Sequence, residues 1–185
     1  MKRLFKSFSG VALALSLMVF TGCSTSPDVP LEPIGDSFKF EKIALNFEQY
    51  HFPKTKKYQS KDDVERKLNQ SILKHLKTND MFDGNSPEKL EIIVYWRRIF
   101  AGEDLPFEAM RSDKIASPRL GYDIKIVKNG NVLRSLKETE LFHKPDFVTG
   151  LRYFAFLTEG DEIENRAIEA LGKHVVNKIK DFKKK

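Results

Sequence analysis

The chain has 185 residues, with 32 Lys and Arg against 26 Asp and Glu, and a single cysteine. One cysteine excludes a disulfide framework. The modest positive surplus, with no basic stripe, argues against a nucleic-acid partner. Fifteen phenylalanines point to a domain held by packing, and the length allows one domain with a genuine core.

The amino terminus has the three parts of an export signal. Lys2, Arg3 and Lys6 supply positive charge, with no acid before Asp28. Residues 11–20 are apolar apart from Ser16, and small residues follow at Thr21 and Gly22. The stretch from Gly10 to Gly22 is 13 residues, whereas a membrane-spanning helix needs about 20. The run therefore fits a signal peptide, residues 1–22, better than a permanent span. Removing it lowers the formal charge from +6 to +3.

Phe20-Thr21-Gly22-Cys23 resembles the lipobox of bacterial lipoproteins, usually Leu-(Ala/Ser/Thr)-(Gly/Ala)-Cys, with Phe20 in the place of Leu. The resemblance implies thioether diacylation of Cys23, cleavage before it and acylation of the new amine. Two or more chains, each contributing about 0.8 kcal/mol per buried CH₂, make a stable anchor. Ser24 after the cysteine, rather than Asp, implies the outer membrane, on its periplasmic side. An ordinary secretory signal with a chance cysteine is the bland alternative. Lipidation of Cys23 would leave no free thiol for catalysis.

Residues 23–37 are rich in Ser, Pro, Asp and Gly and read as a lipidated tether. A single domain is expected over 38–182. Its first strand is expected at 38–47, and 48–59, broken by Pro53, reads as a loop. Ser60 with Asp63 three residues on is close to a capping box. Val64, Leu68, Ile72 and Leu76, with Leu73 beside them, predict a helix that fades around 79–84. Residues 90–100 alternate, with Leu90, Ile92, Val94 and Trp96 on one face and Ile93 and Tyr95 on the other. Apolar residues on both faces predict an interior strand.

Residues 101–121 then read as a long irregular segment. Asn129-Gly130, between strand-like runs at 122–127 and 132–141, predicts a type I′ hairpin. A last helix is expected from about Asp161 to Phe182, with Ile163, Ala167, Ile168, Leu171, Val175, Ile179 and Phe182 inward. Its Gly172 either weakens it by about 1 kcal/mol or permits a close crossing. Residues 183–185 form a basic tail that ends a lysine series from Lys178 and Lys180. It reads as a frayed end, with attraction to anionic lipid or glycan as the alternative.

The order β-α-β-β-β-α predicts an α+β two-layer sandwich: a mostly antiparallel sheet with two long helices on one face. Lys42-Ile43-Ala44-Leu45-Asn46-Phe47, then Leu76-Lys77-Thr78-Asn79-Asp80-Met81-Phe82, and Ala167-Ile168-Glu169-Ala170-Leu171 through Val175-Val176 carry a pattern-level resemblance. They resemble small periplasmic lipoprotein domains related to the amino-terminal domain of TolB and to the lipopolysaccharide-assembly lipoprotein. That implies a fold and an envelope role, with no catalytic residues to carry over. No run matches the conserved lipopolysaccharide-assembly motifs.

Chemistry is sparse. His51, His75, His143 and His174 show no i+3 or i+4 pairing, and there is no HExxH, GxSxG or Walker loop. No catalytic residue, metal ligand or cofactor is expected. Glu103 and Asp104 read as a solvated turn, since paired acid/base chemistry needs carboxyls in different environments. Three features are candidates for binding a partner. Arg97 and Arg98 point to opposite faces, so one is placed to reach a carboxylate or phosphate, or to pair with an acid such as Glu103 or Glu108. Phe107 and Met110, with Leu105 and Pro106, make the long segment either a contact patch or a lid on the core. Phe147 and Tyr153, within 142–157, offer aromatic surface or core packing. The expectation is a non-enzymatic, lipid-anchored accessory module that docks an envelope protein. A lipid or glycolipid carrier and, last, an envelope hydrolase are the alternatives.

Overall fold

The computed structural model describes residues 32–54, 58–112, 116–141 and 161–183. Cys23, Phe147 and Tyr153 lie outside the described residues.

Helix α1 (Lys61–Thr78) begins as its first residues dictate. Ser60 is extended and its hydroxyl accepts the Asp63 N–H, while Asp62 and Asp63 sit at the positive end. Val64, Leu68, Ile72 and Leu76 are fully buried. The helix closes as a Schellman motif: Asp80 takes the left-handed conformation at φ 55°, Met81 N–H donates to Leu76 O at 2.9 Å and Asp80 N–H to Lys77 O at 3.2 Å.

Strand β1 (Ala44–Gln49) is shorter than the expected 38–47 and starts later. Phe38 and Lys39 make only isolated bridges, with Phe82 and Lys89. The ladder breaks because Ile43 N–H is taken by the Asn69 side chain of α1 at 2.8 Å. Strand β2 (Glu88–Phe100) is central, parallel to β1 and antiparallel to β3 (Ala116–Lys128). The parallel pair is the one whose crossover contains a helix, as parallel geometry requires. The irregular segment expected to reach 121 stops before Ala116. Pro118, Arg119 and Gly121 read as loop, yet they pair with Arg98, Arg97 and Tyr95 of β2. Pro118 is tolerated because β4 (Asn131–Glu138) pairs only with the Tyr122–Lys128 half of β3, so its missing N–H costs no bond on that side. At the turn, Asn129 and Gly130 both have positive φ, 50° and 81°, as a type I′ turn demands. The second hairpin arm ends at Glu138, before the expected 141, and Glu140 turns away at φ 55°.

Helix α2 (Asp161–Phe182) buries Ile163, Ala167, Ile168, Leu171, Val175 and Ile179. A single core joins this face, the α1 stripe and Leu90, Ile92, Val94, Trp96, Leu120, Tyr122, Ile124 and Ile126 of the sheet. The architecture is therefore the expected α+β two-layer sandwich, in the order β-α-β-β-β-α and with strands side by side as β1-β2-β3-β4. Gly172 marks the crossing of the helices. A Cβ there would lie 2.9 Å from Ser71 Cβ and nearer still to its hydroxyl, with Ser71 backbone at 3.2 Å. Gly172→Ala is therefore expected to destabilise by about 1–3 kcal/mol through overpacking, outweighing a propensity gain of about 1 kcal/mol. Urea denaturation measures it, and a variant as stable as the parent would refute the close crossing.

The two ends of the sheet differ. Residues 32–36 enter where β2 begins and β3 ends. There Glu32 pairs with Lys128 at 2.9 Å, Gly35 N–H donates to Glu88, and Asp36 meets Lys183 beyond α2. The opposite pole, where β1 and β2 end, is about 40 Å away along the 13 residues of β2.

Candidate functional site

At the far pole β2 ends in Arg97-Arg98-Ile99-Phe100, and alternation sends the two arginines to opposite faces. Arg98 turns inward. Its Nε donates to Glu164 of α2 at 2.6 Å, Nη1 to the Gln49 carbonyl oxygen at 2.6 Å and Nη2 to Gln59 O at 2.8 Å. The rings of Phe47 and Tyr58 lie 5.1 Å from the guanidinium, and both Arg98 and Glu164 are 3% exposed. Its donors are spent on the fold, so Arg98 is a fastener of α2 to the sheet and not a residue presented to a partner. A hollow of about 450 Å³ lies above it, between Phe52, Pro53, Tyr58 and Lys61.

Arg97 lies on the face away from the helices. It pairs with Glu103 at 3.5 Å and stacks on Tyr50 at 4.8 Å. Glu103 also accepts the Phe100 N–H at 3.0 Å, so this carboxylate anchors the start of the loop instead of serving a solvated turn. Ser112 N–H closes the loop on Ala101 O at 2.8 Å, and the Met110 carbonyl occupies the space a side chain at Gly102 would need. A loop tied down in this way can hold apolar side chains outward. Leu105, Phe107 and Met110 are 43%, 64% and 61% exposed. The lid alternative is not met, because a lid would bury these side chains against the core.

Beside the loop, the residues after β1 expose Tyr50 at 63% and Phe52 at 70%. This segment is held to the end of β2, from which the loop leaves, by Tyr50 on Arg97 and His51 edge-on to Phe100 at 5.0 Å. Five of the six exposed large hydrophobic residues among those described thus gather at this one pole, Val132 being the exception. Exposed apolar side chains concentrated at one end of a domain are a candidate interaction site, where scattered single residues are not.

The remaining titratable groups are dispersed. His75 meets Glu169 at 2.9 Å and His174 meets Glu138 at 3.2 Å, tying α2 to α1 and to β4. A hydrogen bond from Lys74 holds the Glu169 carboxyl below the usual glutamate range. Burial first, and the Glu138 carboxylate second, push Tyr122 above the usual tyrosine range, so its hydroxyl stays protonated. Among the described residues no three His, Cys, Asp or Glu side chains converge as a metal site. No helix of the described residues is long and apolar enough to cross a membrane.

No protein-family model matches the chain, and no curated protein matches it. The geometry therefore carries the functional argument. Of the partner-binding candidates it brings Arg97, Phe107 and Met110 to one pole, and it withdraws Arg98 into the interior. Sequence reading overlooked Tyr50 and Phe52 because the polar stretch around them reads as a connector. Two aromatics beside Pro53 were the available signal. It also overlooked Arg119, hidden in a segment read as loop.

Proposed function

We propose that this chain is an envelope lipoprotein. In this reading it is exported, cut before Cys23, held by lipid on the outer membrane facing the periplasm, and used as a non-enzymatic docking module. The supporting observation is the apolar pole built by Tyr50, Phe52, Leu105, Phe107 and Met110, at the end of the sheet opposite the entry of residues 32–36. A lipid-anchored chain that exposes apolar side chains at one end of its sheet suits a module that docks a partner. The occupant is an envelope protein with a complementary apolar patch. Aromatic and methionine side chains ringed by polar residues form the energetic centre of such contacts.

Anchoring is tested by fractionation. Wild type is expected in the detergent-extractable membrane fraction, shorter by the first 22 residues and heavier by its acyl chains. Cys23→Ala is expected to lose the acyl mass and the cleavage. A Cys23→Ala chain processed like the parent would sink the lipoprotein reading.

A further inference from the structure

On the face of the sheet turned away from the helices two arginines stand side by side, Arg97 flanked on its other side by Glu48 of β1. Arg97 of β2 and Arg119 of β3 are direct partners in the antiparallel ladder. Side chains so placed have Cβ atoms about 4.5–5.5 Å apart, and like charges there repel. Glu103 answers Arg97 only at 3.5 Å, and the Arg97 Nε is buried without an acceptor. Arg119 is exposed and makes no ion pair or hydrogen bond among the described residues.

The two arginines flank a hollow of about 160 Å³. Gly121, paired with Tyr95, lines it, and the space its missing side chain leaves is taken by Glu138 O and Thr139, 3.0 and 3.3 Å from a Cβ placed there. Tyr95 forms a wall, with the Lys137 ammonium 5.6 Å from its ring centre. Asn46 and Thr139 add neutral polar groups at the sides. Glu48 and Glu140 also line the hollow, and Glu48 accepts the Tyr50 hydroxyl at 3.0 Å.

We propose that Arg97 and Arg119 form a binding site for a phosphate ester. Two arginines lining one hollow offer enough donors for the several oxygens of a phosphate, whereas one fork alone satisfies a carboxylate. A hollow of about 160 Å³ has room for a phosphate and the first atoms of its ester. The anion between the arginines removes their repulsion, so occupancy stabilises the fold by mass action. A soluble phosphate ester and the headgroup of an anionic phospholipid or glycolipid share this chemistry. The site does not depend on docking at the apolar pole.

The test uses the full-length chain in non-ionic detergent, with inorganic phosphate and glycerol 3-phosphate titrated against chloride at equal ionic strength. Backbone and arginine Nε–H resonances report Tyr95, Arg97, Arg119 and Gly121, and thermal unfolding is followed in parallel. Saturable shifts at these residues are expected, with a rising unfolding midpoint. Arg119→Gln is expected to fold normally in chloride, because it removes a repulsion, and to bind phosphate about tenfold or more weakly. Binding to phosphatidylglycerol vesicles over phosphatidylcholine vesicles, lost in Arg119→Gln, assigns the site to a lipid headgroup. Soluble esters bound without that preference assign it to a free phosphate ester. The proposal is overturned if phosphate produces no saturable shift, or if Arg119→Gln binds as tightly as wild type. Phe107→Ala is expected to leave phosphate binding unchanged, which separates this site from the docking pole.

Discussion

Arg98→Ala is expected to destabilise the domain by about 3–5 kcal/mol, the usual cost of removing one partner of a buried ion pair. The truncation removes three hydrogen bonds of 2.6–2.8 Å, and with them the charged partner of the Glu164 carboxylate, which is 3% exposed. It also empties the space between the Phe47 and Tyr58 rings. A domain of this size has roughly 5–15 kcal/mol in total, so the variant sits near the edge of folding. Urea denaturation of wild type, Arg98→Ala and the double variant Arg98→Leu with Glu164→Leu measures this. The double variant is expected to recover most of the loss, since two apolar groups of similar shape need no counter-charge. A single-variant loss below about 1 kcal/mol would mean the arginine is solvated and free to serve a partner.

The second large effect concerns docking and leaves the fold alone. Phe107→Ala combined with Met110→Ala is expected to weaken partner binding by about 2 kcal/mol or more, roughly thirtyfold, because exposed aromatic anchors carry a disproportionate share of interface energy. Stability is expected to change by no more than about 0.5 kcal/mol, since both side chains are more than 60% exposed. The partner retained on the wild-type chain is quantified alongside the unfolding midpoint. Unchanged retention would remove the loop from the docking surface. Lost retention with a lowered midpoint would make the loop a structural support instead.

The sequence was most legible where one local rule decides the outcome. Ser60 and Asp63 fixed the start of α1, four-residue spacing from Val64 to Leu76 fixed its buried stripe, and Asn129-Gly130 fixed the hairpin turn. Alternation through Leu90, Ile92, Val94 and Trp96 identified the central strand and placed Arg97 and Arg98 on opposite faces. It could not tell which arginine would be buried. That depends on Glu164, 66 residues further on, arriving on a different element. Distance in sequence also hid the break before β1, caused by Asn69 capturing the Ile43 N–H. The first half of β3 was missed because Pro118 and Gly121 are read as loop residues unless the neighbouring strand is known to be short. The docking pole was half visible. Phe107 and Met110 stood out in a long loop, while Tyr50 and Phe52 join them only because β1 and β2 run parallel and end together.

The most direct test of docking at the far pole is site-specific photo-crosslinking in intact cells. A crosslinking amino acid replaces Phe52, Phe107 or Met110 at the pole, or Val132, an exposed apolar residue beside the hairpin turn at the other end. Discrete protein adducts are expected from the three pole positions, none from Val132, and a marked loss of adducts when Cys23→Ala releases the chain from the membrane. Adducts as strong from Val132 as from the pole, or none from the pole while the chain remains anchored, would contradict the account.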